Sequence, residues 1–263
     1  MVLERLVNVR IALKQPFWVF ILGGLISTIC LALSFIVFGE SAGLISNFLI
    51  TFAIMPFMLD FIRYEGANIE QKAEELKKMN IFQRHRNVIM VYIAFFAGMV
   101  LTQTILYMMI PESWSQKLFQ DQITQINLIR GRATFGGTFS TILINNSGVL
   151  MLSFLFSFLF GAGAIFILAW NASVLSVAIG MTAKSLGGFK GIPLAILTFF
   201  PHGSLEILAY FIGGIAGGLA SVAFTKRKTE KFSFILRDSI EMMMVAFALL
   251  MIAAAIETTL IVV

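Results

Sequence analysis

The chain has 263 residues, 59% of them hydrophobic and only 13% charged, with a formal net charge of +5. A charged share about half that of ordinary soluble domains leaves more apolar surface than a water-soluble fold can bury, so the composition calls for an all-α, polytopic membrane protein. The positive balance is not a nucleic-acid footprint, because Lys and Arg gather in short loops between apolar runs, and Cys30, the one cysteine, excludes an intramolecular disulfide.

Residues 1–15 pattern as a short amphipathic helix at the membrane interface, with Leu3, Leu6, Val7 and Leu13 on one face and Glu4, Arg5, Asn8 and Lys14 on another. A basic flank that orients the first span fits the same residues. That span is expected over Phe17 to Val37, long enough to cross ~30 Å of hydrocarbon. It is too long for a signal-peptide core, and no A-x-A-like site follows it. After a turn at Gly39-Glu40-Ser41, a second span is expected from Leu44 to Ile62, with Pro56 inside it and Asp60 near its end. Residues 63–87 hold six Lys or Arg, and Ile69, Ala73, Leu76 and Met79 recur at helical spacing, which predicts a cytoplasmic surface helix. A third span runs from Val88 to Ile110 and closes at Pro111. In residues 112–135, Leu118, Phe119, Ile123, Ile126 and Ile129 predict an amphipathic helix on the outer surface.

From Ser147 to Ala183 there is no charged residue, a stretch too long for one crossing. Trp170-Asn171 near its middle suggests a hairpin capped by Asn171, with spans over 148–169 and 172–186, the second short and tilted or partly re-entrant. The sixth span covers Leu194 to Phe224, with a break expected at Pro201 to Gly203. Its second half carries Gly213, Gly214, Gly217 and Gly218, two overlapping G-x-x-x-G patterns that allow close helix packing. A basic loop at 226–231 precedes the seventh span, Ile240 to Ile261. Seven spans place the N-terminus and the loops at 63–87 and 226–237 in the cytoplasm and the C-terminus outside. Six spans, with 172–186 re-entrant, would put a basic loop on the wrong side. The chain divides into an N-terminal unit, 1–87, and a five-span core, 88–263.

Polar residues inside the spans are costly and call for partners or a purpose. His202 and Glu206 lie four residues apart, on one helical face. Counting ~1.5 Å per residue, His202 is about 12 Å from the outer end of its span and Glu257 about 10 Å from the outer end of the last. Asn145 and Asn146 open the fourth span from the same side, so these groups are expected in one polar cluster in the outer half of the membrane. Such a cluster serves either as a hydrogen-bonded clasp between helices or as a ligand, proton or catalytic site. One His and two Glu is a known metal-ligand set, but H-E-x-x-H, a Cys cluster and a second nearby His are missing; the other histidine, His85, falls in a cytoplasmic loop. Ser204 lacks a base-and-orienter arrangement, and no nucleotide fingerprint is present. No cofactor is implied, and a bound metal ion is left open.

Phe200-Pro201-His202-Gly203 followed by Glu206 resembles the signature of the stage II sporulation protein M family of integral membrane proteins. Ile144-Asn145-Asn146 before a Gly-rich span, Trp170-Asn171 and Ala253-Ala254-Ala255-Ile256-Glu257 agree in order and spacing, so the resemblance covers about residues 88–263. It carries over a fold and the polar residues Asn145, Asn146, Asn171, His202, Glu206 and Glu257. This sequence departs from the sporulation protein by two extra N-terminal spans and the cytoplasmic helix between them. In spore formers the family member is a membrane partner and scaffold for cell-wall-degrading enzymes, and members also occur where no spores form. The resemblance therefore implies a non-enzymatic scaffold or assembly component, working with the bilayer, a membrane-protein partner or further copies of itself, and no nucleic acid. A transporter or channel for an ion or small solute is the alternative, and an intramembrane metal-dependent hydrolase the third reading.

Overall fold

The computed structural model describes residues 9–39, 42–71, 79–134, 139–225 and 232–262, and among them every regular element is helical. In chain order these are α1 (Val9–Lys14), α2 (Phe17–Phe38), α3 (Ala42–Gln71), α4 (Ile81–Arg84), α5 (Arg86–Met109), α6 (Glu112–Leu118) and α7 (Gln120–Thr134). There follow α8 (Phe139–Phe160), α9 (Ala164–Ser185), a 3-10 turn (Gly188–Gly191), α10 (Ile192–Thr225) and α11 (Phe232–Val262). Seven of them, α2, α3, α5, α8, α9, α10 and α11, are long and apolar enough to cross a membrane. The alternation puts the C-terminal ends of α3 and α10 and the N-terminal ends of α5 and α11 at one end of the bundle, called here the basic end, and the C-terminal ends of α2, α5 and α9 and the N-terminal ends of α3, α8 and α10 at the far end. Of the short helix expected in residues 1–15 the structure describes α1, and most of the surface helix expected around Ile69 to Met79 lies outside the described residues.

α10 is the central helix, and glycine explains why. A side chain on Gly213 would strike Leu150 of α8, and one on Gly217 the Phe154 carbonyl. On the neighbouring register, a Cβ on Gly214 would lie 2.7 Å from the Ala164 Cβ of α9, and one on Gly218 2.7 Å from the Gly161 carbonyl. The two overlapping patterns thus serve two different neighbours, which is how one helix packs closely on both sides in lipid. The N-terminal unit joins by the same device: Gly98 of α5 leaves room for the Phe20 carbonyl of α2, and Gly23 of α2 for Phe95. A continuous hydrophobic core therefore runs from Val19, Leu22, Ile50 and Phe61 to Tyr92, Phe211 and Leu219, across the boundary at residue 87.

Four expectations are corrected. The hairpin between the fourth and fifth spans lies at Gly161–Gly163, not at Trp170-Asn171. Gly161 takes φ +76°, a left-handed turn that glycine adopts without strain. Both spans then have a full 22 residues, and nothing is re-entrant. Asn171 consequently sits inside α9, where its Nδ2 donates to the Ile167 carbonyl at 2.7 Å, and caps nothing. Finally, α10 runs unbroken through Pro201 and Gly203. Proline removes one backbone hydrogen bond, and the intact turns on either side carry the helix through. The amphipathic segment at 112–134 forms α6 and α7, and their apolar face is not spread on a surface. Leu118, Phe119 and Ile126 are buried with Leu31, Ala42, Tyr107 and Val177, and Gln122 Nε2 donates to Ser173 Oγ of α9 at 2.9 Å.

Candidate functional site

Three helices meet at a polar cluster nearer the far end. On α8 the buried stripe is Asn146, Leu150, Ser153 and Ser157, spaced four, three and four residues, so Asn146 heads the face that packs against α10. Its Nδ2 donates to Glu206 Oε1 of α10 at 2.6 Å. The Glu206 carboxyl also hydrogen-bonds to Glu257 of α11. Asn145 Nδ2 donates to Asn146 Oδ1 at 3.3 Å, which extends the chain to four side chains. Tyr210, one turn further along α10, is buried within electrostatic reach of both acids.

The structure thus brings Asn145, Asn146, Glu206 and Glu257 together, and leaves His202 out. His202 sits one turn before Glu206, but its Nδ1 is buried with no hydrogen-bond partner. The four-residue spacing puts both side chains on one side of α10, yet Glu206 turns to Asn146 and Glu257. Three metal-ligating side chains therefore do not converge, and among the described residues no group of three or more His, Cys, Asp or Glu is placed to hold a metal ion. An apolar cavity of about 570 Å³ between α5, α9 and α10 is lined by Phe199, Gly203, Ser204 and Ile207, but not by His202, Glu206 or Glu257.

A second cluster, at the basic end, is composed quite differently. His85, in the turn between α4 and α5, is completely buried, as are Glu65 of α3 and Asp238 of α11. Its Nδ1 faces Glu65 Oε1 at 3.2 Å and its Nε2 faces Asp238 Oδ2 at 2.7 Å. Arg84 pairs with the other Asp238 oxygen, donates to the Met79 carbonyl at 3.0 Å, approaches Glu241 at 4.0 Å and lies 5.4 Å from the Phe234 ring centre. Two carboxylates from α3 and α11 thus close on an imidazole and a guanidinium at the junction of α4 and α5. Loop assignment hid this cluster. A basic run before a span reads as a solvated flank, although Glu65, near the C-terminal end of α3, and Asp238, near the N-terminal end of α11, stand at the same end of the bundle.

Fold and site together define a multi-pass helical membrane protein, with seven helices among the described residues long and apolar enough to cross a membrane and buried polar groups that tie them to one another. The chain belongs to the stage II sporulation protein M family: the family model matches residues 87–260, from the start of α5 almost to the end of α11. No curated protein and no solved structure matches it.

Proposed function

We propose that this protein is a non-enzymatic membrane scaffold or assembly component, and that its Asn146–Glu206–Glu257 cluster is a helix clasp. One observation carries the reading: the cluster's polar atoms are engaged with one another across α8, α10 and α11, and the large cavity beside α10 avoids its acids. Interhelical hydrogen bonds of this kind fix the register of a bundle and need no turnover to explain them. The basic end is placed in the cytoplasm, with the C-terminus outside, as loop charge directs.

Affinity purification from native membranes under mild detergent tests the reading. A protein partner or a second copy should be retained in stoichiometric amount; recovery of the chain alone would contradict it.

A further inference from the structure

The spans are unequally covered. In the most apolar stretch of α10, 72% of residues are buried, against 22% in α8, which flanks the polar cluster. The uncovered side of α8 carries Ile144, Asn145, Gly148 and Leu152, all exposed and one turn apart or adjacent. Two of these are out of place against lipid. An exposed amide within a span is expensive in hydrocarbon. A glycine in a helix interior weakens the helix relative to alanine and exists where something must come close. Gly23, Gly98, Gly213 and Gly217 each have such a neighbour, since a Cβ there would collide with an adjacent helix. A Cβ on Gly148 would meet nothing within 4 Å. Gly203 is equally bare, but it lines the apolar groove that Phe199, Phe200 and Ile207 of its own helix already wall, whereas that groove does not reach Gly148.

We propose that this face of α8 is the contact between two copies of the chain, with Gly148 at the helix crossing and Asn145 beside it. The occupant follows from the chemistry of the amide. Asn145 spends one N–H on Asn146, which leaves it a second donor and its own carbonyl oxygen. A group that offers donor and acceptor together satisfies itself across a two-fold axis, where each residue meets its own counterpart. An isolated acid or amine would need a partner of opposite character. The inference deepens the assembly reading and rests on it in one respect, that this face takes protein rather than lipid.

Oxidative cross-linking of the full chain in native membranes is the test. A Gly148→Cys variant should give a reducible dimer that contains both of two differently tagged copies. The parent chain, with only buried Cys30, and an Ile36→Cys variant on the lipid-exposed side of α2 should stay monomeric. Gly148→Leu should leave thermal unfolding of the monomer unchanged, because the side chain leaves the backbone into open space, with nothing within 4 Å of its Cβ, and should lower co-purification of the two tags at least tenfold. Cross-linking of Gly148→Cys to a different protein would overturn the pairing of copies and leave the assembly reading standing. A monomeric Gly148→Cys variant overturns the pairing as well; if affinity purification also recovers the chain alone, both readings fall.

Discussion

The two polar clusters share a bundle and differ in what they leave undone. At the basic end, two buried acids meet a buried imidazole and a largely covered guanidinium. Toward the far end, two acids meet asparagine, and among the described residues no Lys or Arg pairs with either of them. Opposite charges packed together in a dry interior complete each other, and removing one strands the rest. A cluster of amides and carboxyls has no buried cation to strand, so it tolerates the loss of a charge. The first is finished within one chain and locks the N-terminal unit to the family core, because Glu65 comes from α3 and Asp238 from α11. The second joins three core helices next to an uncovered face, which suits a place where the molecule meets another.

Substitutions should separate the two. The largest effect is expected from Asp238→Ala, which leaves Arg84 and His85 buried without their common acid. Loss of one partner of a buried ion pair costs about 3–5 kcal/mol, read as a lowered unfolding midpoint in detergent; an unchanged midpoint would mean that the clasp is solvated. Next comes Gly217→Leu, which drives a side chain into the Phe154 carbonyl and should destabilise by about 1–3 kcal/mol through overpacking between α8 and α10. The smallest is Glu206→Gln. The amide keeps an acceptor for Asn146 and a donor for Glu257, so the change should stay under about 1 kcal/mol. A cost for Glu206→Gln as large as that of Asp238→Ala would erase the distinction between the clusters.

The spans were readable because lipid sets a long apolar period that few residues interrupt, and Phe17–Phe38 and Arg86–Met109 lie within a residue or two of their expected limits. Depth counting put His202, Glu257 and Asn145-Asn146 at one level, since membrane helices run nearly parallel; the contact is made by Glu206, one turn past His202, while His202 stays out of it. The hairpin at Gly161 was missed because Trp170-Asn171 is the more polar mark, while the turn itself is made of small residues that look like helix surface. Pro201 misled in the opposite sense: a proline signals a lost hydrogen bond, not a lost helix. His85 was hidden by its neighbours, as Arg84 and Arg86 give the sequence around it the look of a solvated loop. Only the fold brings α3 and α11 to either side of it.

The measurement closest to the central claim is ion and small-solute flux in vesicles reconstituted with the purified protein. If Asn146, Glu206 and Glu257 are a clasp, vesicles holding the wild-type chain should leak no faster than empty ones, and Glu206→Gln should change nothing. A flux through the wild-type protein that Glu206→Gln abolishes would make the cluster a conduction site and contradict the scaffold account.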